Sequence, residues 1–284
     1  MSQDFKKIIA NVTGSRPVQF QPMGGGCIAD VREVILKNGQ TIVAKVGDAG
    51  ANLKLEGFML QYLRSSSGLP VPDVLYADDK LLLMSKIEIA GGLFGGAQKH
   101  AAELLAALHG VTAQQFGFNH ATVIGGLYQP NKENKNWVSF FRDQRLMYMA
   151  RQGLDVGRLP ATLMSRVETL AGKLEDWLDN AATPSLIHGD LWGGNILSCH
   201  GKISGFIDPA IYYADAEIEL AFSTMFNTFG DDFFNRYTEH RNIRPGFFEE
   251  RVDLYNLYPL LVHVRLFGGS YVSSVEQTLS RFGC

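Results

Sequence analysis

Within His188-Gly189-Asp190-Leu191-Trp192-Gly193-Gly194-Asn195 an aspartate precedes an asparagine by five residues, and Asp208 follows that asparagine by thirteen. A carboxylate at Asp190 can accept or orient the proton of a substrate hydroxyl. The side-chain oxygen of Asn195 and the carboxylate of Asp208 are hard donors suited to Mg²⁺, which binds oxygen ligands and bridges nucleotide phosphates. This is the catalytic-loop arrangement of a phosphotransferase, where the protein positions and neutralises charge and does little covalent chemistry itself. A polar turn between two buried strands, Ser185–Ile187 and Ile196–Ser198, is the plainer alternative. It does not require three such residues at these spacings.

A loop of this kind needs upstream elements to hold a nucleotide, and they occur in order. Pro22-Met23-Gly24-Gly25-Gly26-Cys27 precedes an alternating stretch, Ile28–Leu36. A turn at Asn38-Gly39 then leads into Thr41–Val46, and the whole reads as a hairpin. Glycines 24, 25 and 26 let backbone N–H groups approach a phosphate, although this is neither a GxGxxG loop nor a Walker A sequence. Lys45 ends the second strand and is expected at the α/β-phosphates. Glu56 falls in a helix with apolar Leu53, Phe58, Met59, Leu60 and Leu63, one turn before Leu60, so it can face inward and order Lys45. Without the downstream loop, Lys45 would read as a snorkelling surface lysine and Glu56 as a solvated helix residue.

These residues carry a resemblance that runs through almost the whole chain. It includes PxGGGC, the AKV strand of Lys45, Glu56-xxx-Leu60-xx-Leu63, Leu104–His109 and Phe116-Gly117. It continues with Ile124-Gly125 to Gln129-Pro130-Asn131, Trp137–Arg145 (WVSFFRDQR), HGDLWGGN, Ile207-Asp208-Pro209-Ala210, and Leu254–Tyr258 to Phe267–Tyr271. The sequence resembles the fructosamine kinases (ketosamine-3-kinases), a branch of the protein-kinase-like fold near the aminoglycoside phosphotransferases. The resemblance implies a bilobal α+β protein: a small antiparallel β-sheet N-lobe and a mainly helical C-lobe. It further implies ATP- and Mg²⁺-dependent phosphorylation of the 3-hydroxyl of a ketosamine, free or protein-bound, whose breakdown then regenerates the amine. Ser85 stands where the family more often has an acidic residue, which weakens any side-chain inference at the hinge. Two other classes remain: a hydroxyl kinase of aminoglycoside or choline type, and a nucleotide-binding pseudokinase. The tryptophan after HGDL and the WxxFFxxQR segment count against the first, and the full set of phosphate and metal ligands against the second.

The organisation expected is an N-terminal lobe at residues 1–87, a hinge at 88–96 and a C-terminal lobe at 97–284. Strands are expected near 17–21, 27–36, 41–46, 74–77 and 81–87. Helices are expected at 97–110, 136–152, 160–181, 215–229, 231–241, 246–267 and 270–281, with the catalytic hairpin after the third. Lys86–Gly96 reads as the linker whose backbone meets the adenine edge, so Lys86, Ile87 and Glu88 are further cofactor candidates. Trp192 could stack under a sugar or amine, or pack in the core. Asp215 and Glu217 open a helix, where capping explains them first, while the family resemblance puts the Asp215 region near the acceptor. His188 is expected to brace the loop, and His109, His263 and Phe267 to pack. Cys27, at the end of the glycine loop, is a candidate redox site; an inert half-buried thiol is the alternative.

At 284 residues with 46% hydrophobic and 19% charged residues, the chain can bury a sizeable core. A net charge of −3 gives no basic footprint for nucleic acid. No apolar run approaches the ~20 residues a membrane span needs. The start, MSQDFKKIIANVTG, lacks a signal-peptide core, and three cysteines, Cys27, Cys199 and Cys284, make no disulfide framework; a cytoplasmic protein is expected. No His/Cys spacing indicates zinc. A monomer or a homodimer is compatible with these features.

Overall fold

The computed structural model describes residues 3–24, 29–179 and 181–284. Helix α1 (Gln3–Thr13) precedes strands β1 (Pro17–Pro22), β2 (Asp30–Leu36) and β3 (Thr41–Val46). Helix α2 (Leu53–Ser67) follows, then β4 (Val74–Ala77) and β5 (Leu81–Ser85). The five strands form one antiparallel sheet in the order β1-β2-β3-β5-β4. The two-residue side-chain period explains why β5 is apolar throughout. Leu81 and Leu83 pack with Ile9 of α1, Val34, Ile42 and Ala44 on one face. Leu82 and Met84 join Met59, Leu60 and Leu63 of α2 on the other, in a core continuous with the helices that follow.

Those elements are α3 (Gly96–His109), the hairpin β6 (Thr122–Ile124) and β7 (Leu127–Gln129), α4 (Trp137–Phe141), α5 (Met147–Asp155) and α6 (Ala161–Ala171). Next come β8 (Ser185–Ile187), the hairpin β9 (Ile196–Cys199) and β10 (Lys202–Phe206), and β11 (Tyr212–Ala214), which pairs with β8. Helices α7 (Ala216–Thr224), α8 (Asp231–His240), α9 (Val252–Phe267) and α10 (Ser270–Arg281) complete the chain. The architecture is α+β, as expected. No helix among the described residues is long and apolar enough to cross a membrane.

Several expected bounds shift for local reasons. The helix expected at 160–181 stops at Ala171, where Gly172 donates its N–H to Glu168 O at 3.1 Å. The helix expected at 136–152 is interrupted by a π-turn, Arg142–Leu146, and runs on to Asp155. A second π-turn, Phe247–Arg251, leads into α9. Helix α7 ends at Thr224, five residues earlier than expected at 229, and β5 ends at Ser85. The short hairpin β6–β7 was not expected, because three-residue strands have too little alternation to stand out.

Candidate active site

The turn after β8 is shaped by one residue that only glycine can occupy. Gly189 has φ +88°, and a β-carbon there would lie 2.1 Å from Ala210 O. The close approach exists because Ala210 N–H donates to His188 O at 2.7 Å, tying the turn to the segment after Asp208. Gly189→Ala is therefore expected to destabilise the protein by more than about 2 kcal/mol, since a backbone atom must move. Thermal unfolding checks this, and an unchanged midpoint would mean that the turn can relax.

Glu219 of α7 holds the same turn from below. Its carboxylate accepts the N–H of His188 at 3.2 Å and of Gly189 at 2.6 Å. It also contacts His109 Nε2 at 2.9 Å, while His109 Nδ1 meets Tyr237 OH at 2.7 Å. Burial alone would raise the Glu219 pKa, but these donors outweigh it and hold the carboxyl below its ordinary range. The sequence reading missed Glu219. The signal available was a carboxylate between Ile218 and Leu220 on a helix whose residues 217–223 are all buried, where a charge must find donors. His109, read as a packing residue, is buried but serves this network as well. His188 braces the loop as expected: Asp190 N–H points at His188 Nδ1 at 3.4 Å, and burial lowers its pKa.

Beyond the turn, Asn195 is 4% exposed and its Nδ2 donates to Asp190 O and to Asp190 Oδ2, each at 2.9 Å. Its Oδ1 accepts no hydrogen bond among the described residues. Asp208 sits in the left-handed region, φ +55°, and pairs with Lys45 Nζ. Lys45 Nζ also donates to Glu56 Oε1 at 2.7 Å. Burial pushes the Asp190 carboxyl up to about 7, helped by the charges of Asp208 and Glu219 and opposed by the Asn195 hydrogen bond. Burial likewise raises Glu56. For Lys45 burial works downward, but the carboxylates of Glu56 and Asp208 prevail and keep it an ammonium. Asn195 and Asp208 thus offer hard oxygens on one cleft, a donor set that fits Mg²⁺.

That cleft, about 620 Å³, has Ala29, Val31, Lys45 and Glu56 on the sheet side and Asp190, Asn195 and Asp208 on the helical side. Its far wall is aromatic. Trp192 is 41% exposed and its ring lies 6.0 Å from that of Phe226, which lies 5.4 Å from His263. Tyr271 follows, 4.7 Å from His263. Trp192 is therefore at the cleft and not in the core. His263 and Phe267, read as packing residues, also line it, a correction that comes from how α9 and α10 meet.

Other expected site residues lie elsewhere. Asp215 does not line the cleft, contrary to the expectation drawn for the acceptor. It is 5% exposed, caps α7 by accepting Glu217 N–H at 3.1 Å, accepts Tyr255 OH at 2.7 Å and pairs with Arg244. Tyr255 in turn accepts Trp137 Nε1–H at 2.9 Å, so the tryptophan of the WxxFFxxQR segment supports this buried network. Lys86 pairs with Glu33 at 2.8 Å, Ile87 packs on Gly205, and Glu88 lies beside Cys199 and His200; none of the three lines the cleft. Gly24 follows Met23, whose N–H donates to Val31 O at 2.9 Å, and Gly24 is not among the lining residues. Gly25, Gly26 and Cys27 lie outside the described residues.

A five-stranded sheet whose Lys45 pairs with Glu56 of the adjoining helix α2, together with a helical lobe bearing an Asp–Asn–Asp loop, defines the protein-kinase-like phosphotransferase class. Residues 1–282 match the family described as fructosamine kinase, and the chain belongs to that family. A Synechocystis protein named a probable ketoamine kinase is 38% identical over 183 residues, 62% of this chain and 59% of that protein. The protein-ribulosamine 3-kinase, chloroplastic, of Arabidopsis thaliana is 31% identical over 272 residues, 92% of this chain and 81% of its own. A solved structure from Thermobifida fusca, described as a "putative fructosamine-3-kinase", superposes with a TM-score of 0.87 at 27% identity, covering 99% of this chain and 98% of the other.

Proposed function

We propose that this protein transfers the γ-phosphoryl group of ATP to the 3-hydroxyl of a ketosamine, free or protein-bound, in a cytoplasmic repair of glycated amines. The observation that supports it best is the meeting, on one cleft, of Lys45–Glu56, Asp190–Asn195 and Asp208 with an aromatic wall. Lys45, ordered by Glu56, would neutralise the α/β-phosphates. Asn195 and Asp208 would hold Mg²⁺, which supplies charge neutralisation along the phosphates. Asp190, near half-ionised at neutral pH, would orient the acceptor hydroxyl and take its proton as the oxygen attacks the γ-phosphorus and the bond to ADP breaks. Trp192 and Phe226, their rings inclined at 63°, offer an apolar corner to the sugar or the amine-derived part. The lobes would divide near residue 87, with the linker through residue 96 contributing backbone to the adenine.

The names of relatives, a ketoamine kinase and a ribulosamine 3-kinase, favour this acceptor over an aminoglycoside or choline. A coupled ADP-release panel of ribose-, erythrose- and fructose-type ketosamines, an aminoglycoside, choline and the parent amines tests it. At least one ketosamine should raise turnover well above its parent amine. A preference for the aminoglycoside or choline would move the protein to the alternative class, and Mg·ATP binding without turnover on any acceptor would favour a pseudokinase.

A further inference from the structure

Away from the cleft, the linker after β5 lies along the tip of the β9–β10 hairpin. Ala90 N–H donates to Ser198 O at 2.9 Å, His200 N–H to Ala90 O at 2.9 Å, and Ser204 Oγ to Glu88 O at 2.8 Å. These bonds seat Glu88 beside the turn, where its carboxylate, Cys199 Sγ and a ring nitrogen of His200 lie within 4.8 Å of one another. Among the described residues no other trio of His, Cys, Asp or Glu donors converges in this way. The turn holds His200 at φ +49° and Gly201 at +75°, the two left-handed positions of a two-residue hairpin. Histidine is among the residues with a β-carbon that adopt the first of these most readily, and here it stands next to a cysteine.

We propose that Glu88, Cys199 and His200 form a binding site for a transition-metal ion, Zn²⁺ in the first instance. One thiolate, one imidazole and one carboxylate are donors that zinc accepts together and that the harder Mg²⁺ does not select. Zinc bonds of about 2.0–2.3 Å place tetrahedral donors about 3.5 Å apart, so the present spacing closes by side-chain rotation. Glu88 and His200 are exposed and Cys199 is half-buried, which gives an ion direct entry and leaves the fourth position to water. Partial burial and the Glu88 carboxylate both hold the proton on Cys199, and the ion would replace that proton. It would also cross-link the inter-lobe linker to the hairpin that follows Asn195 and precedes Asp208. Adjacent Cys199 and His200 show no metal spacing in sequence; the third donor comes from a distant segment, which is why spacing alone gave no sign of zinc.

The inference does not depend on the reading of the cleft, and its test needs no turnover. The nucleotide-free full chain is titrated with Zn²⁺ against a chromogenic chelator at neutral pH, and with Co²⁺ to read the thiolate-to-metal absorption band. The expected result is one equivalent bound, unaffected by excess Mg²⁺, with Cys199→Ser and His200→Ala each weakening binding by about 100-fold or more. Cys284→Ser should bind as the wild type does, and metal-free thermal unfolding of each variant controls for folding. No stoichiometric Zn²⁺ binding, binding by Cys199→Ser and His200→Ala as tight as that of the wild type, a Co²⁺ complex without the thiolate band, or loss of binding in Cys27→Ser instead would each overturn the proposal.

Discussion

Asp190→Asn is expected to lower kcat by a factor of about 10² or more while Mg·ATP still binds. Asparagine keeps the size of the side chain and can still contact Asn195, whose Nδ2 also holds the Asp190 backbone oxygen. What it removes is the group that, on the proposed reading, would receive the hydroxyl proton. Steady-state kinetics with a nucleotide-binding control check this, and near-normal turnover would remove Asp190 from the role. The same carboxyl sets a pH dependence. With a pKa of about 7 in the free protein, kcat/KM should rise with pH through that region as Asp190 ionises. Its effect on stability has the opposite sign. A carboxyl raised from 3.8 to about 7 favours the neutral form in the folded state, so its contribution is fully present below about pH 4 and is lost as pH rises through 7. Asp190→Asn should therefore be more stable than the wild type at pH 8, by thermal unfolding, although it is nearly inactive.

Asp208→Ala should act on a different step, abolishing the Mg²⁺-dependent part of nucleotide binding and reducing turnover below that of Asp190→Asn. Asp208 lines the same cleft as Asn195 and pairs with Lys45, so on the proposed reading its removal would deprive both metal and lysine of a partner. Lys45 would keep Glu56 at 2.7 Å, which predicts that the fold survives. Nucleotide titrations with and without Mg²⁺ separate the two variants. Equal metal dependence in Asp208→Ala and wild type would contradict the assignment of Asp208.

The parts of this protein legible in its sequence are those with local signatures. The Lys45 strand, the Glu56 helix and the Asp190-to-Asn195 loop each announce themselves by spacing within a short segment, and in the structure all face one cleft. The parts missed depend on contacts between distant segments. Glu219 reads as one more acidic residue until α7 is packed beneath the loop. His263 and Phe267 read as core because helical periodicity distinguishes a buried face from a solvent face, not a core from a cleft wall. Asp215 could be read as a cap or as a substrate group, and its pairing with Arg244 and Tyr255 decides for the buried structural role. The π-turns before α5 and α9 were missed because they are defined by i→i+5 backbone bonds, and the slip of apolar phase they cause is too short to read within five residues.

Phosphoryl transfer to one particular hydroxyl is best checked by the position of the phosphate in the product. Purified protein is incubated with Mg·ATP and a ribose-derived ketosamine, and the product is followed by phosphorus and proton NMR while ADP is measured in parallel. The account predicts one ADP per phosphorylated ketosamine, a phosphorus signal coupled to the proton on carbon 3, and neither product with Asp190→Asn on the same timescale. A phosphate on any other hydroxyl, or ADP release no greater than with the unglycated amine across the whole ketosamine panel, would contradict it.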